Sequence, residues 1–399
     1  MKITSVDIIK TFREPSRNAE IAVGGVPWHP VCVRINTDEG ISGYGEIGVA
    51  YGNAQNAGFG MGVDFAKCII GLDPLNSEEI WDRLHRLTFW GMGNGGVIMA
   101  GISGIDIALW DIRGKAFQAP VYQLLGGRTN KKLRAYASQL QFDWGKISRA
   151  LSKPEEYAEA ARKAMADGFT AVKVDPIGFD KDGNWMGWSS RGILKREQLE
   201  MAVKRVEAMR EAGPDLDIII ELHALTDANT SVQLGRELER LNCFYYEEPT
   251  QPLNPALFKE ISAKVKIPVA TGERVYTRWG YRPFFEDHSI GIIQPDLCNT
   301  GGITEGKKIC DMAHVYDIGV QVHCCGGPIS AAAALQLEAV IPNFVIHELH
   351  ASALIQDNID LCKYDYQAVD GYFEVPDRPG IGQELTEEAI AGSEVVTVK

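Results

Sequence analysis

The sequence predicts a β/α barrel preceded by a smaller α+β domain, and three observations lead to this prediction. Between Asp217 and His323, short apolar runs rich in β-branched residues each end in a carboxylate or an imidazole, as strands directed at one site would. Three of these runs lead to Glu221, Glu247 and Glu273, which are 26 residues apart, about the length of one strand, one helix and two loops. Upstream, an alternating segment and a long apolar helix indicate a second unit of different construction.

The composition indicates a globular protein with no affinity for nucleic acid. The chain has 399 residues, 45% of them apolar, which suits one barrel plus a smaller domain. Forty Lys and Arg against 53 Asp and Glu give a net charge of −13, and no long basic run is present. The N-terminus does not resemble a secretory peptide and no apolar run has the length of a membrane span, so we expect a cytoplasmic protein with no membrane partner. Eight cysteines without a CxxC pair are expected to be free thiols.

Residues 1–50 predict antiparallel strands, because two alternating runs flank the turn signal Asp-Glu-Gly. Helical periodicity follows from about Met61 to Ala119. The last of these helices is apolar on nearly all sides, so we expect it to be the buried centre of the domain. Gly101 and Gly104 would allow its neighbours to approach closely.

Strand and helix signals alternate from about Leu133 onward, with a helix predicted at 154–168 and a strand at 169–178. The alternation continues past His323 and ends in an irregular tail. In this tail, strand and turn signals at 372–385 suit packing against the first domain. Repetition of this kind is typical of a β/α barrel.

Carboxylates at the ends of successive barrel strands would meet at one site, because barrel active sites lie at the carboxyl ends of the strands. A set of oxygen ligands suits Mg²⁺ or Mn²⁺ better than a metal that prefers thiolates. Any one of these acidic residues could be a solvated loop residue, but three at the period of a barrel are hard to obtain in that way. A divalent metal site is therefore our hypothesis.

Six segments carry a resemblance to a known family: GISGIDIALWDIRGK and LLGG in the first domain, then YYEEPTQP, PVATGER, IIQPDLCNTGGITE and VHCCGGP. Nearly the whole chain resembles the enolase superfamily, in its mandelate racemase and muconate lactonizing enzyme-like group, and is closest in layout to the galactonate-type sugar-acid dehydratases. The resemblance implies a modified (β/α)7β TIM-type barrel with an α+β capping domain. It implies the N-terminal part of the capping domain at 1–130, the barrel at 131–345, and at 346–399 a segment that finishes the barrel and returns to the capping domain.

The resemblance also implies that Glu221, Glu247 and Glu273 bind one Mg²⁺, for which Mn²⁺ could substitute. Glu221 stands where the family commonly has Asp, a change that adds a methylene and keeps the charge and the ligand type. Of the neighbours Glu247 and Glu248, the first matches the ligand and the second is expected to make a structural contact.

Two histidines are candidates for proton transfer. His323 with Asp296 resembles the family's base, a dyad in which the carboxylate would orient the imidazole and raise its basicity. His223 lies two residues beyond Glu221, so on an extended strand both side chains would point to the same face. The family's sugar-acid dehydratases carry a histidine at this position as the acid for the departing β-hydroxyl. A substrate-binding role for His223 is the alternative.

Lys173 matches the first lysine of the racemases' lysine-x-lysine motif, and Asp175 replaces the second, which is usually the base on that face. This departure argues against a two-base racemase and leaves His323 as the single abstracting base. Lys173 is expected to contact a carboxylate or the enolate. Alternatively, Lys173 and Asp175 pair with each other.

Glu348 resembles the family's late glutamate, which when protonated donates a hydrogen bond to the developing enolate oxygen. Segment 183–190 is a candidate lid. The candidate substrate-binding residues are Asp175, Arg278, Trp279, Arg282, Trp28 and His29. For the three that follow Glu273, packing and surface charge are the alternative roles.

Together these residues imply an Mg²⁺-dependent dehydratase that converts a sugar acid, an aldonate such as galactonate or gluconate, to a 2-keto-3-deoxy acid. A cycloisomerase of an anhydro sugar acid or an epimerase would use the same first step. A barrel that binds a sugar acid without activity is a remoter alternative. The resemblance further implies a homo-oligomer, often an octamer.

Overall fold

The computed structural model describes residues 1–11, 29–146, 148–187 and 192–399. The predicted substrate contact Trp28 and the later part of the candidate lid lie outside these ranges. None of the described helices combines the length and the apolar character needed to cross a bilayer.

The N-terminal unit is an antiparallel sheet covered by helices. Its elements are β1 (Ile3–Lys10), β2 (Val31–Thr37), β3 (Ser42–Ile47), α1 (Gln55–Ile69), α2 (Ser77–Leu87), α3 (Gly96–Ala116) and α4 (Val121–Leu124). β1 pairs with β2 and β2 with β3, all antiparallel, so the predicted strands and the turn between the second and third are present.

Strands and helices then alternate strictly. They are β4 (Lys132–Ser138), α5 (Pro154–Ala166), β5 (Ala171–Val174), α6 (Arg196–Ala212), β6 (Asp217–Glu221), α7 (Ala228–Leu238), β7 (Tyr245–Glu247), α8 (Pro255–Ser262), β8 (Val269–Thr271), α9 (Thr277–Glu286), β9 (Ile292–Ile293), α10 (Gly302–Val315), β10 (Gly319–Val320), α11 (Pro328–Glu338) and β11 (His347–His350). These eight strands pair in parallel from β4 to β10, and β11 pairs with β4. Val320 pairs with Phe344, just before β11, which closes the ring. The predicted (β/α)7β barrel with an α+β capping domain is confirmed.

The C-terminal segment serves both units. It contains α12 (Gln356–Ile359), β12 (Tyr372–Glu374), α13 (Glu387–Ala391) and β13 (Glu394–Val398). β13 pairs antiparallel with β1 and completes a four-stranded capping sheet, ordered β13-β1-β2-β3. β12 pairs antiparallel with β4, so the expectation that this part of the tail packs on the first domain is wrong for the strand. It holds for Ile381, whose N–H donates to Asp111 of α3.

Helix α3 is the buried centre of the capping domain, as its composition predicts. β3 lies directly against it because glycines meet at the contact: a Cβ at Gly45 would overlap the carbonyl oxygen of Gly104. The close approach expected at Gly104 is therefore present, and it brings the end of β3 to the barrel.

Polar side chains of α3 bind the start of barrel helix α10. Ser103 Oγ accepts hydrogen bonds from the N–H groups of Gly301 (2.8 Å) and Gly302 (3.1 Å), and Asp106 Oδ2 accepts one from Thr304 N (2.9 Å). The first N–H groups of a helix have no partner within it, so these contacts satisfy them across the domain boundary. They fix the capping domain over the barrel.

Glu46 at the end of β3 binds the backbone N–H groups at the start of barrel helix α11. Its carboxylate accepts hydrogen bonds from Gly327 N (2.7 Å) and Ser330 N (3.1 Å). Burial raises the pKa of Glu46 to about 7, although both hydrogen bonds oppose the shift. The helix that follows β10 is thus held by a residue of the capping domain.

Replacing Asp106 with asparagine is expected to flatten the dependence of stability on pH. Burial raises the pKa of Asp106 to about 7, against hydrogen bonds from Thr304 that lower it. The folded state therefore holds this proton more tightly than the unfolded state. The free energy of unfolding should fall as pH rises from about 4 to about 7, by at most about 1.4 kcal/mol per pH unit from this group, and then level off. Calorimetry should show a shallower slope for Asp106→Asn, and equal slopes would contradict the raised pKa.

Candidate active site

Three glutamates meet at the carboxyl ends of adjacent barrel strands. β6 ends at Glu221 and β7 at Glu247, and the two residues are register partners, while Glu273 follows the end of β8. One carboxylate oxygen from each lies within 4.8 Å of the others. The sequence spacing therefore corresponds to a real cluster, because equal βα units bring successive strand ends together.

The cluster suits a hard divalent cation. Glu247 Oε2 is buried and has no hydrogen-bond donor within the described part of the chain, and Glu221 Oε2, also buried, has the ammonium of Lys173 at 3.2 Å. Buried carboxylate oxygens without a donor are costly unless a positive charge compensates them. Three carboxylates are a donor set that Mg²⁺ or Mn²⁺ prefers, so the residues fit the implied metal.

Lys173 is the buried counter-charge of this cluster. Its Nζ lies 2.9 Å from Glu247 Oε1, 2.9 Å from Glu348 Oε1 and 3.2 Å from Glu221 Oε2. Burial lowers the pKa of Lys173, but the three carboxylates outweigh it and raise that pKa well above its usual value. The alternative pairing of Lys173 with Asp175 is wrong, because Asp175 binds a histidine.

His323 and Asp296 form the predicted pair. His323 Nδ1 lies 2.8 Å from Asp296 Oδ2, and the opposite ring nitrogen, Nε2, lies 3.2 Å from Glu273 Oε2. Asp296 Oδ1 also accepts the N–H of Cys298 (2.7 Å), which fixes the carboxylate. Burial opposes protonation of His323, but Glu273 and Asp296 prevail and raise its pKa to about 10. One nitrogen is therefore held by Asp296 and the other faces the carboxylate cluster through Glu273.

His223 has its own carboxylate. The ring atom Nδ1 lies 2.7 Å from Asp175 Oδ2, and the backbone N–H of His223 donates to Glu221 Oε1 (2.8 Å). Burial lowers the pKa of His223, but Glu221 and the hydrogen-bonded Asp175 raise it to about 9. Both His223 and Ala224 have left-handed backbone, with φ of 47° and 57°. The extended strand assumed from the sequence is thus wrong here: β6 ends at Glu221, and a turn beyond it carries the imidazole.

The two imidazoles face one cavity of about 280 Å³. His223 follows β6 and His323 follows β10, which are four strands apart in a ring of eight, so they approach the cavity from opposite sides. Of the three glutamates, Glu273 lines it, so the carboxylate cluster adjoins the cavity through this residue. The capping domain supplies a wall through Gly48 and Tyr51.

Several cavity residues were missed by sequence reasoning. They are Tyr51, Gln139, Arg274, Tyr276, Asn299 and His350. Arg274 and Tyr276 lie one and three residues after Glu273, and Asn299 lies three residues after Asp296. Nearness in sequence to a predicted site residue was therefore a usable signal. Tyr51 comes from the other domain and gave none. Trp185, in the candidate lid, does line the cavity.

Three predicted substrate contacts lie away from the cavity. Arg278 pairs with Glu305 (3.1 Å) and lies over the ring of Trp279, which is half exposed and stacks on His85. Arg282 is exposed and pairs with Glu286. α9 begins at Thr277, so these side chains lie on an outer helix of the barrel. The substrate-binding role predicted for Arg278, Trp279 and Arg282 is therefore wrong.

Asp175 and His29 also need correction. Asp175 is fully buried, its carboxylate holds His223, and it is not among the residues that line the cavity, so it orients that histidine. His29 precedes β2, its N–H donates to Ala50 O (2.8 Å), and it is not among the residues that line the cavity.

Glu348 is near the cluster but is not a hydrogen-bond donor. Its Oε1 accepts from Ser138 Oγ (2.7 Å) and pairs with Lys173, and its Oε2 accepts from Cys324 N (2.9 Å). Burial raises its pKa, but Lys173 foremost and then His323 lower it below the usual range. The protonated donor implied by the resemblance is therefore wrong for this residue.

Comparison with known proteins agrees with this geometry. Residues 4–126 match the family described as the mandelate racemase / muconate lactonizing enzyme N-terminal domain, and residues 156–389 match the one described as enolase C-terminal domain-like. The chain is similar to the D-galactonate dehydratases of Pectobacterium atrosepticum (34% identity, 98% of this chain, 94% of that protein) and Variovorax paradoxus (32%, 90% and 89%). A crystal structure of an enolase superfamily member from Salmonella Typhimurium is 55% identical, spans 100% of both chains and has a TM-score of 0.95.

The chain belongs to the enolase superfamily, in its mandelate racemase and muconate lactonizing enzyme group. Within that superfamily it is a hydro-lyase, an enzyme that breaks a carbon–oxygen bond with loss of water. The family and the enzyme class predicted from the sequence are confirmed.

Proposed function

We propose that the protein is an Mg²⁺-dependent dehydratase of a sugar acid, most directly an aldonate such as galactonate or gluconate. The observation that carries the proposal is the pair of imidazoles, each held by a carboxylate, on opposite sides of one cavity beside three glutamates. The similarity to D-galactonate dehydratases supports the substrate class.

Glu221, Glu247 and Glu273 would hold the cation. When bound there, Mg²⁺ supplies positive charge for the substrate carboxylate and for the negative charge that develops on it. Lys173 keeps Glu247 and Glu221 in place from the buried side.

His323 removes the α-proton in this proposal. Asp296 holds Nδ1, so Nε2 is the nitrogen that accepts the proton from carbon when the ring is neutral. A cation held by Glu273 would offset the carboxylate charge that raises the pKa of His323 and so would favour the neutral ring. The electrons of the broken C–H bond first move into the substrate carboxylate, which becomes an enediolate. They then form the Cα–Cβ double bond as the β-hydroxyl departs. Only one base faces the α-carbon, which agrees with the replacement of the racemase lysine by Asp175.

His223 gives a proton to the departing hydroxyl, which leaves as water. Asp175 holds Nδ1 of His223 and leaves its other nitrogen to donate. The product is an enol that tautomerises to a 2-keto-3-deoxy acid, lighter than the substrate by one water.

A screen in D₂O tests the proposal. Purified protein with Mg²⁺ is incubated with aldonates, aldarates and anhydro sugar acids, while keto-acid formation, mass and α-deuterium are followed together. A 2-keto-3-deoxy product supports dehydration and names the substrate. An isomer of unchanged mass would replace the proposal with a cycloisomerase or an epimerase, and failure with every acid would remove the substrate class.

His223→Asn is expected to separate the two half-reactions. The asparagine amide can keep the hydrogen bond to Asp175 but has no group at the Nε2 position, so dehydration should fall by about 10²–10⁴-fold. Exchange of the α-proton with D₂O should persist, because His323 is intact. Loss of exchange and dehydration to the same extent would show that His223 is not the acid.

A further inference from the structure

His350 lies at the end of the last barrel strand and at the same cavity as His223 and His323, and the proposed mechanism does not use it. It follows Glu348 by two residues on β11, so both side chains point into the barrel. His347, on the other face, binds Glu338 of α11 instead (2.6 Å). His350 lines the cavity that contains His223 and His323.

The hydrogen-bonding state of His350 follows from its neighbours. Its Nδ1 accepts the backbone N–H of Ser352 (3.1 Å), and Ser352 Oγ lies 2.8 Å from the same atom. A backbone N–H can only donate, so in the neutral ring Nδ1 carries no proton and Nε2 carries it. Within the described residues, no hydrogen bond to Nε2 is seen. The ring therefore has a free N–H donor on the side away from Ser352.

The charges around His350 keep it neutral. Burial lowers its pKa to about 4; Glu348 opposes this shift, and Lys173, His323 and His223 add to it. A neutral imidazole can donate a hydrogen bond to an oxygen without adding a charge to the site. Neutral imidazoles are known to act in this way on oxygens that become negative.

Glu348, the other inward residue near the end of β11, cannot donate a hydrogen bond to a substrate oxygen. Both oxygens of Glu348 are acceptors, bound by Ser138, Lys173 and Cys324, so this residue has no proton to give. β11 adjoins β10, whose end carries His323, so a group on β11 lies next to the site of proton removal. His350 is the next inward residue along the same strand.

We infer that His350 donates its Nε2–H hydrogen bond to a carboxylate oxygen of the substrate, the oxygen on which negative charge grows as His323 removes the α-proton. This inference rests on the proposed function and adds a substrate-binding donor to it. The donor strengthens its bond as the charge develops, so it favours the transition state over the bound substrate.

Two substitutions test the position of the donor. The amide nitrogen of glutamine in His350→Gln can occupy the place of Nε2, whereas that of His350→Asn reaches only the place of Nδ1. We expect His350→Asn to lower kcat by about 10²–10³-fold with a smaller change in KM, and His350→Gln to recover most of this loss. The control is His347→Asn, on the outward face of the same strand, with kcat close to that of the wild type.

Equal losses in His350→Asn and His350→Gln, or unchanged kcat in both, would overturn the inference. If the wild type dehydrates no sugar acid, the proposed function fails, and the state of His350 is still measured by ¹⁵N NMR of histidine-labelled protein with Mg²⁺. The signal absent from His350→Asn should report a neutral ring protonated at Nε2 between about pH 6 and 8. An imidazolium, or a proton at Nδ1, would overturn the inference without turnover.

Discussion

His323→Asn is expected to lower kcat by about 10³-fold or more and to abolish exchange of the substrate α-proton with D₂O. The asparagine amide can still bind Asp296, which the imidazole contacts at 2.8 Å, so the carboxylate keeps a partner. What is lost is Nε2, the nitrogen that faces Glu273 and the cavity. The imidazole of His350 remains on this side of the cavity, but its Nδ1 already accepts the Ser352 N–H and its Nε2 carries the proton of the neutral ring, so it cannot take the proton from carbon.

The measurement is a pair of rates, keto-acid formation and α-deuterium incorporation, for both histidine variants. His323→Asn should lose both rates, whereas His223→Asn should lose the first and keep the second. Thermal stabilisation of His323→Asn by Mg²⁺ should remain, because the three glutamates are unchanged. If His323→Asn retained more than about a tenth of the wild-type exchange rate, a different base would be required.

Glu247→Gln is expected to abolish stabilisation by Mg²⁺ and to reduce dehydration by about 10³-fold or more. Glutamine keeps the shape, and its amide oxygen can still accept the hydrogen bond that Lys173 Nζ donates to Glu247 Oε1 at 2.9 Å. It replaces the buried Oε2, which has no hydrogen-bond donor in the described structure, with an NH₂ group that repels a cation. A metal that binds the folded state stabilises it by an amount that grows with the logarithm of its concentration over its dissociation constant, so the shift in Tm on adding Mg²⁺ reports binding without turnover.

Glu248→Gln is the matched control for this substitution. Glu248 is adjacent in sequence and equally buried, but it pairs with Arg274 and is not part of the cluster of three carboxylates. Its variant should still be stabilised by Mg²⁺. Full stabilisation of Glu247→Gln, or loss of stabilisation in both variants, would contradict the assignment of Glu247 as a ligand.

The cluster of three glutamates and the pair of His323 with Asp296 were predictable because both depend on distances along the chain that the barrel repeats. Each βα unit returns the chain to the same end of the ring, so Glu221, Glu247 and Glu273 had to converge once the strands were recognised. The pairing of His323 with Asp296 follows in the same way from adjacent strand ends.

The partners of Lys173 and Asp175 were not predictable. The two residues are two positions apart along the chain, so an ion pair between them was a reasonable alternative. In the folded barrel, however, Lys173 contacts three buried carboxylates instead. Asp175 turns to His223, which reaches it only because the backbone leaves β6 through two left-handed residues. Neither the turn nor the choice of partner has a signature in spacing.

The outer position of Arg278 illustrates a second limit. It follows Glu273 by five residues, near enough to suggest the site, yet the helix that starts at Thr277 carries it to the outside of the barrel. Arg274, one residue after the ligand, remains at the cavity. The position at which the loop ends and the helix begins decides whether a residue after Glu273 lies at the cavity or outside the barrel. Sequence patterns place such boundaries only to within a few residues.

Periodicity and strand-end chemistry are properties of the linear chain, and they sufficed to predict the barrel, its capping domain, the three glutamates and the pair of His323 with Asp296. The contacts that enclose the cavity, the acceptor role of Glu348 beside Lys173 and the hydrogen bond from Ser352 to Nδ1 of His350 became visible only in the folded chain. These features arise from contacts between segments far apart in sequence and from side-chain directions at strand ends, where the regular period that makes a sequence readable no longer applies.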